Sequence, residues 1–261
     1  MAPLDALLNR RMKEREAEND REHADVPKFS IPSADAVLID TNAVVGTYQS
    51  LNDALDEKMP CQVDLGLYQS ARENLTALRD LLLTYDNVKA TRGVVKELYG
   101  TAHYMLQRYR AFKGYVKNDD KRKRDRGLKQ RLQAFADIVD LEREIRDTLK
   151  ARPIDLDQKK YRVVYDFVKG LVAGNPDLQD KNSNKTVDEH IAATALYHMI
   201  VEGKNCRLLT ADRRLKDIVD RAYMSLVTTV PGLNKRFVDV YCHAGEGDYK
   251  PLLRRGLFQN K

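Results

Sequence analysis

The chain alternates between short apolar runs and longer stretches in which apolar residues recur every three or four positions. A continuous apolar run is typical of a strand buried in a parallel sheet, and the longer spacing is typical of an amphipathic helix. Strands are predicted at 36–40, 87–90, 206–210 and 237–241. Helices are predicted at 63–85, 92–112, 186–201 and 213–223. Strands that alternate with helices predict an α/β fold with a mostly parallel sheet and helices on its faces.

The two ends of the chain lie outside this alternation. Residues 3–24 predict a helix rich in charges of both signs, and prolines interrupt the chain between this helix and the first strand. We therefore interpret residues 1–34 as a charged helical arm that could dock on a protein partner. Residues 35–241 form the main predicted domain, and 242–261 form a basic tail.

A long helical segment at about 111–172 also interrupts the alternation, and it predicts a helical hairpin inserted into the main domain. From Lys117 to Arg131 this segment holds eight Lys or Arg against three Asp, so its tip is basic. The side chains that we expect to contact nucleic acid are Lys117, Lys121, Arg122, Lys123, Arg124 and Arg126. The usual alternative for an isolated charge run is a solvated surface.

Composition and charge narrow the classes of function. The chain has 45 Lys or Arg against 39 Asp or Glu, a formal net charge of +6, which attracts polyanions such as nucleic acid. No apolar run reaches the roughly 20 residues of a membrane helix, and the first residues lack the apolar stretch of a secretion signal. The scattered Cys61, Cys206 and Cys242 predict free thiols in a reducing compartment. We expect a cytoplasmic protein, or a nuclear one in a eukaryote, because Lys121–Arg124 resembles a nuclear-localisation patch.

Four acidic residues lie in settings suited to binding a divalent metal. Asp40 and Asp212 each follow a predicted strand, and ligands bind at the carboxyl ends of parallel strands. Asp188 begins a helix beside its apolar face, and Glu97 lies on the helix after the second strand. Carboxylates gathered in one pocket repel each other unless cations neutralise them, and Mg²⁺ and Mn²⁺ prefer oxygen ligands. The pattern therefore predicts a metal-dependent hydrolase of phosphodiesters.

Each of these acids also has a structural explanation. The acids that follow strands could form turns or cap helices, and Glu97 could be a solvated surface residue. At the start of the helix at 186–201, Thr186 and Glu189 fit a capping box. A capping role for Glu189 leaves Asp188 without one, which favours Asp188 as the functional acid.

In order and local setting, these residues resemble the four acidic motifs of the PIN-domain ribonucleases, the superfamily that includes VapC-type toxins and several RNA-processing enzymes. The resemblance covers about 35–110 and 180–241, but neither the arm nor the insertion. The matching segments are Ile39-Asp40-Thr41-Asn42, Val95-Lys96-Glu97-Leu98, Asp188-Glu189-His190-Ile191-Ala192-Ala193-Thr194-Ala195 and Leu209-Thr210-Ala211-Asp212. Small VapC-type toxins are much shorter than this chain, so the insertion points to a more specialised role.

The resemblance implies a compact three-layer α/β/α sandwich around a mostly parallel sheet. It also implies that one or two Mg²⁺ or Mn²⁺ ions are bound by the four acids, Asp40, Glu97, Asp188 and Asp212. Thr41, Asn42 and Thr210 would support these acids or orient water. Dimerisation is common in this superfamily, so a homodimer is a further option.

The function we expect is a metal-dependent endoribonuclease in which water attacks the phosphorus in line and leaves a 5′-phosphate and a 3′-hydroxyl. Bases of unpaired RNA could stack on Tyr99, Tyr104, Tyr109 and Tyr115, although tyrosines at this spacing also occur as packing residues. One alternative is a non-catalytic RNA-binding or assembly factor on the same fold, which the presence of all four acids disfavours. Another is a structure-specific DNA nuclease of related fold, although such sites generally carry more carboxylates. We expect His103 and His190 to be packing or surface residues.

Overall fold

The computed structural model describes residues 34–179 and 186–229, together with two strands near the C-terminal end. The strands are β1 (Ala36–Ile39), β2 (Val88–Lys89), β3 (Cys206–Leu209), β4 (Val238–His243) and β5 (Tyr249–Pro251). The helices are α1 (Thr41–Val45), α2 (Gln49–Glu57), α3 (Leu65–Thr84), α4 (Arg92–Lys117), α5 (Asp120–Arg124), α6 (Arg126–Lys150), α7 (Gln158–Ala173), α8 (Val187–Ile200) and α9 (Arg213–Thr229). The predicted arm at 1–34 lies outside the described residues except for its last residue. Of the predicted tail at 242–261, only the end of β4 and the strand β5 are described.

The strands form one sheet in the order β2-β1-β3-β4-β5. The first four are parallel to their neighbours, and β5 runs antiparallel to β4. Every residue of β1 and β3 is buried, as the continuous apolar runs predicted. The α/β fold with a mostly parallel sheet is therefore confirmed. Because parallel strands end at the same edge, the residues that follow β1 and β3 are brought side by side.

Several elements differ from the sequence predictions. Helices α1 and α2, between β1 and α3, were not predicted, and neither was β5. The predicted capping box at the start of α8 is wrong, because the side chain of Thr186 makes no capping hydrogen bond. Glu189 instead lies 3.5 Å from an arginine, Arg214, at the start of α9.

The predicted hairpin at about 111–172 does not begin at a separate helix, because its first helix is continuous with a helix of the core. Helix α4 continues without a break from Arg92 to Lys117, so its second half is the first arm of the hairpin. The short α5 lies at the tip, and α6 returns against α3 and α4 with Phe135, Ile138 and Ile145 fully buried. In the described part of the chain, no helix has both the length and the apolar character needed to cross a membrane.

Candidate metal centre at the sheet edge

Asp40 lies at the carboxyl end of β1 and is only 2% exposed. Its backbone N–H donates to the carbonyl of Leu209 on β3 (2.9 Å), which ties the ends of the two strands together. The carboxylate accepts hydrogen bonds from the Thr41 backbone N–H at Oδ1 (2.6 Å) and from the Thr210 hydroxyl at Oδ2 (2.7 Å). Burial raises the pKa of Asp40 to about 6, against the two hydrogen bonds, with smaller contributions from the charges of Asp188 and Asp212.

Thr41 connects Asp40 to Glu97. Its hydroxyl donates to Oε2 of Glu97 (2.7 Å), so the acid on α4 is held against the first turn of α1. Thr41 therefore uses its backbone for one acid and its side chain for another. The sequence prediction placed Thr41 in a supporting role, and its contacts are consistent with that role.

Asp212 combines a structural role with a position in the site. Its Oδ1 accepts from the backbone N–H groups of Arg214 (2.7 Å) and Leu215 (3.3 Å), which caps α9. Its Oδ2 lies 3.5 Å from the side-chain amide of Asn42. The Thr210 hydroxyl, which donates to Asp40, also accepts from the Asp212 N–H (2.9 Å). The capping explanation thus accounts for one oxygen of Asp212 and leaves the other facing the cluster.

Asp188 begins α8 and forms an ion pair through Oδ2 with Nη1 of Arg214. Arg214 also approaches Glu189 through Nη2 (3.5 Å) and donates from Nε to the carbonyl of Leu178 (2.8 Å). Burial raises the pKa of Asp188 to about 6; the charge of Asp212 and, less strongly, that of Glu97 raise it further, and Arg214 opposes the rise. These mutual effects place Asp188 in the same cluster as Asp40, Glu97 and Asp212.

Sequence reasoning missed Arg214. A cation in the first turn of a helix opposes the helix dipole, so a basic residue there is favoured by an anionic partner. The pair Arg213-Arg214 directly after Asp212 carried that signal. The partners themselves, Asp188 and Glu189, are far away in sequence and only the fold brings them together.

The four acids are therefore brought together at one edge of the sheet, with Thr41, Asn42 and Thr210 between them. Across the described ranges, however, no group of three or more His, Cys, Asp or Glu side chains is arranged to hold a metal ion. The contacts explain this arrangement, because Asp188 is turned towards Arg214 and one oxygen of Asp212 is used as a helix cap. A cation that bound the cluster would have to compete with Arg214 for Asp188.

The predicted nucleic-acid contacts lie away from this cluster. Lys117 ends α4, four of the other basic residues form most of α5, and Arg126 begins α6, which places the tip about 30 Å along the helix from Glu97. Arg122 pairs with Asp119 (3.5 Å) and Lys123 with Asp120 (2.8 Å). Within the described part of the chain, no ion pair forms at the remaining four cations, Lys117, Lys121, Arg124 and Arg126.

The two histidines nearest to the site in sequence, His103 and His190, have packing or surface contacts. The ring of His190 stacks on Tyr165 at 4.3 Å, and its Nδ1 is hydrogen-bonded to the Tyr161 hydroxyl (2.8 Å). Burial lowers the pKa of His190, so the ring is neutral at pH 7. His103 is hydrogen-bonded to Gln107 on the surface of α4 (2.8 Å). Both histidines therefore have roles that require no catalytic function.

Comparison with protein-family models, with curated proteins and with solved structures finds no match for this chain. The resemblance to the PIN-domain ribonucleases therefore stays a prediction that rests on the residues quoted above.

Proposed function

We propose that the protein is a metal-dependent endoribonuclease whose active site is the carboxylate cluster at the carboxyl end of the sheet. The observation that carries the proposal is the convergence of Asp40, Glu97, Asp188 and Asp212 from four separate elements. Two of these acids, Asp40 and Asp188, have pKa values raised to about 6 by burial and by their acidic neighbours. Carboxylates gathered at a sheet edge repel each other and cost the fold stability. Such an arrangement therefore indicates a functional site that binds a ligand.

We further propose that the fold is a three-layer α/β/α sandwich. On one face of the sheet, α8 contacts β1, β3 and β4, and α9 contacts β4, which supports one helical layer. The hairpin of α4 and α6, packed on α3, would belong to the other layer. This arrangement resembles the PIN-like architecture and keeps the strand ends open at one edge.

The donor set suits a hard divalent cation. The cluster offers carboxylate and hydroxyl oxygens, and the raised pKa values of Asp40 and Asp188 reflect burial together with the negative charges of neighbouring acids. When bound, Mg²⁺ or Mn²⁺ would lower the pKa of a water molecule and stabilise negative charge on the scissile phosphate. Asp40, Glu97, Asp188 and Asp212 would hold the ion, and Thr210 and Thr41 keep Asp40 and Glu97 aimed at the cluster.

RNA is the proposed substrate because the chain is basic and its acidic site needs positive charge nearby to accept a phosphate. The basic tip supplies positive charge at a distance from the site. Arg214 supplies positive charge next to the acids. If a metal displaced Arg214 from Asp188, its guanidinium would be available to a phosphate oxygen.

The test is to incubate labelled single-stranded RNA and matched DNA with the protein in Mn²⁺, Mg²⁺ or EDTA. Asp40→Asn removes one charge of the cluster, and Asp86→Asn is the matched control, since Asp86 is exposed in the loop before β2. We expect RNA cleavage that requires metal, is unchanged in Asp86→Asn and falls at least about 100-fold in Asp40→Asn. Cleavage that survives both EDTA and Asp40→Asn would sink the proposed mechanism.

A second candidate is a non-catalytic RNA-binding or assembly factor. The ion pair between Arg214 and Asp188 favours it, because that pair neutralises part of the cluster without any metal. Under this alternative, RNA binds tightly in the same assay, is not cleaved, and binds equally well to Asp40→Asn.

A further inference from the structure

One side of α4 carries two arginine-covered tyrosines on a line from the candidate site to the basic tip. Helical geometry places Tyr104 about two turns and Tyr115 about five turns after Glu97, both within about 20° of it around the helix axis. Arg108 lies on the same side, again within about 20° of Glu97. The sequence spacing of these residues therefore aligns them along the full length of α4.

Each of the two tyrosine rings has an arginine over it. The guanidinium of Arg108 lies 4.3 Å from the centroid of the Tyr104 ring, and that of Arg122 lies 3.8 Å from the centroid of Tyr115. The Tyr104 hydroxyl donates to Asp56 (2.7 Å), and Arg108 bonds to both Tyr104 and Asp56. Arg122 also donates to the backbone carbonyl of Tyr115 (3.3 Å). These contacts orient the rings and arginines before any ligand arrives.

The other two candidate tyrosines of α4 do not belong to this line. Tyr99 lies about 160° around the helix from Glu97, where Arg146 and Lys150 of α6 cover its ring. Tyr109 lies about 120° around the helix from Glu97 and packs its ring against the buried Phe135, with centroids 5.9 Å apart. Tyr115 is also partly buried against the core, so the position around the helix, and not burial, separates it from Tyr109. The predicted set of four stacking tyrosines is thereby divided into two that share the side of Glu97 and two that do not.

We propose that Tyr104, Arg108, Tyr115 and Arg122 form a track that binds an unpaired RNA strand between the basic tip and the carboxylate cluster. Bases would stack on the tyrosine and guanidinium planes, which every base can do regardless of sequence. This proposal rests on the proposed function, because it names the form of its RNA substrate. The track would position the strand so that one end enters the cluster beside Glu97.

Charge complementarity favours RNA over a protein as the occupant. The line ends at the basic tip, where four cations form no ion pair with other described residues. Along the track, Asp56 pairs with Arg108 and Asp119 pairs with Arg122, so each pair is neutral and the surplus positive charge lies at the tip. The two rings are about 16 Å apart along the helix, so only a strand of several nucleotides contacts both.

The test measures the affinity of a labelled, unstructured RNA in EDTA by fluorescence anisotropy, so that binding is read without cleavage. Tyr104→Ala and Tyr115→Ala are each expected to weaken binding about five- to 100-fold. Tyr99→Ala is the matched control, since Tyr99 is 40% exposed and Tyr104 is 41% exposed on the same helix. Tyr104→Phe keeps the ring and is expected to keep the affinity.

Equal losses in Tyr99→Ala and Tyr104→Ala, or no loss in either track variant, overturn the proposal. Circular dichroism verifies that each variant is folded, and Tyr115→Ala decides if Tyr104→Ala is not. If the track variants bind RNA more weakly and the wild-type protein cleaves no RNA in Mn²⁺, the track is supported and the proposed nuclease activity is refuted. Metal-dependent cleavage with unaffected track variants supports the nuclease and refutes the track.

Discussion

Arg214 pairs with Asp188, one of the four acids of the carboxylate cluster, although the two residues come from different helices. The guanidinium is held there by the carbonyl of Leu178 and approaches Glu189 as well. The protein thus carries its own cation at a site that we propose to be a metal centre. Arg214 offsets part of the repulsion among the acids. A metal ion that bound all four acids would have to break the ion pair between Arg214 and Asp188.

Replacing Arg214 with Gln is expected to strengthen Mn²⁺ binding about tenfold, because a competing positive charge is removed from the cluster. Without metal, the same change is expected to destabilise the fold by about 1–3 kcal/mol, because Asp188 loses its partner. Isothermal titration calorimetry and thermal unfolding in EDTA measure the two effects. The matched control is Arg221→Gln on the same helix, whose partner Asp177 is exposed. Unchanged Mn²⁺ affinity in Arg214→Gln would show that Arg214 does not compete for the site.

The raised pKa values of Asp40 and Asp188 predict that the metal-free protein loses stability as pH rises. Both groups have a folded-state pKa of about 6 against an ordinary value of 3.8. Between these values the unfolded chain releases the protons while the folded chain keeps them, so stability falls from about pH 4 to pH 6 and the loss is complete above. For Asp40 the full cost is about 3 kcal/mol.

Thermal unfolding in EDTA across pH 4.5–8 measures this dependence. Asp40→Asn is expected to reduce the slope of the profile and leave the part due to Asp188, and Asp86→Asn is expected to leave the profile unchanged. Saturating Mn²⁺ is expected to reverse the trend, since metal binding requires deprotonated acids and improves as pH rises. Equal slopes for the wild type and Asp40→Asn in EDTA contradict the raised pKa of Asp40.

Thr210 is expected to be a positioning residue for two acids at once. Its hydroxyl donates to Asp40 and accepts from the Asp212 N–H, so Thr210→Val leaves both groups without that partner. We expect a loss of about 1–3 kcal/mol in stability and a further rise in the pKa of Asp40, seen as an upward shift in the acid limb of the pH–rate profile.

Thr194→Val is the matched control for Thr210→Val. Thr194 is similarly buried, but its hydroxyl donates to the carbonyl of His190 within its own helix. This control variant is expected to leave the pH profile in place. If Thr210→Val lowers stability without moving the profile, Thr210 has a structural role alone.

Apolar periodicity predicted the sheet and the large helices because their core faces are continuous in sequence. Helix α2 was not predicted because only two of its residues, Leu51 and Leu55, are buried, and two apolar positions do not define a helical face. Helix α1 was not predicted because Thr41–Val45 is too short to show a helical period; Asp40 is its N-cap. Both helices form because the fold on either side of them holds the chain there.

The same distinction applies to the site. The four acids could be selected from sequence because each stands next to an apolar element that fixes its place at the sheet edge. The predicted capping box was wrong because it considered only neighbours in sequence. In the fold, Glu189 approaches Arg214, which is distant in sequence, and Thr186 makes no side-chain cap. The alignment of Tyr104 and Tyr115 with Glu97 required the finding that α4 is unbroken to Lys117.

Glu142 provides a prediction on the fold that is independent of the carboxylate cluster. Its side chain is buried between α6 and the turn after α1, where Oε1 accepts from the Tyr48 hydroxyl (2.7 Å). Burial raises the pKa of Glu142, and the hydroxyls of Tyr48 and Thr101 only partly oppose the rise. The charged form of this carboxyl is therefore a cost to the folded state.

Glu142→Gln keeps the shape of the side chain and its acceptor oxygen but removes that charge. We expect the free energy of unfolding at pH 8 to rise by about 1 kcal/mol, while the variant and the wild type converge towards pH 4, where Glu142 is protonated. Chemical denaturation at both pH values measures the difference, and RNA cleavage is expected to stay unchanged. Glu144→Gln, on the exposed side of α6, is the control and should alter neither value. Destabilisation by Glu142→Gln at pH 8 would mean that the ionised carboxylate, and not the neutral acid, is the form that Tyr48 stabilises.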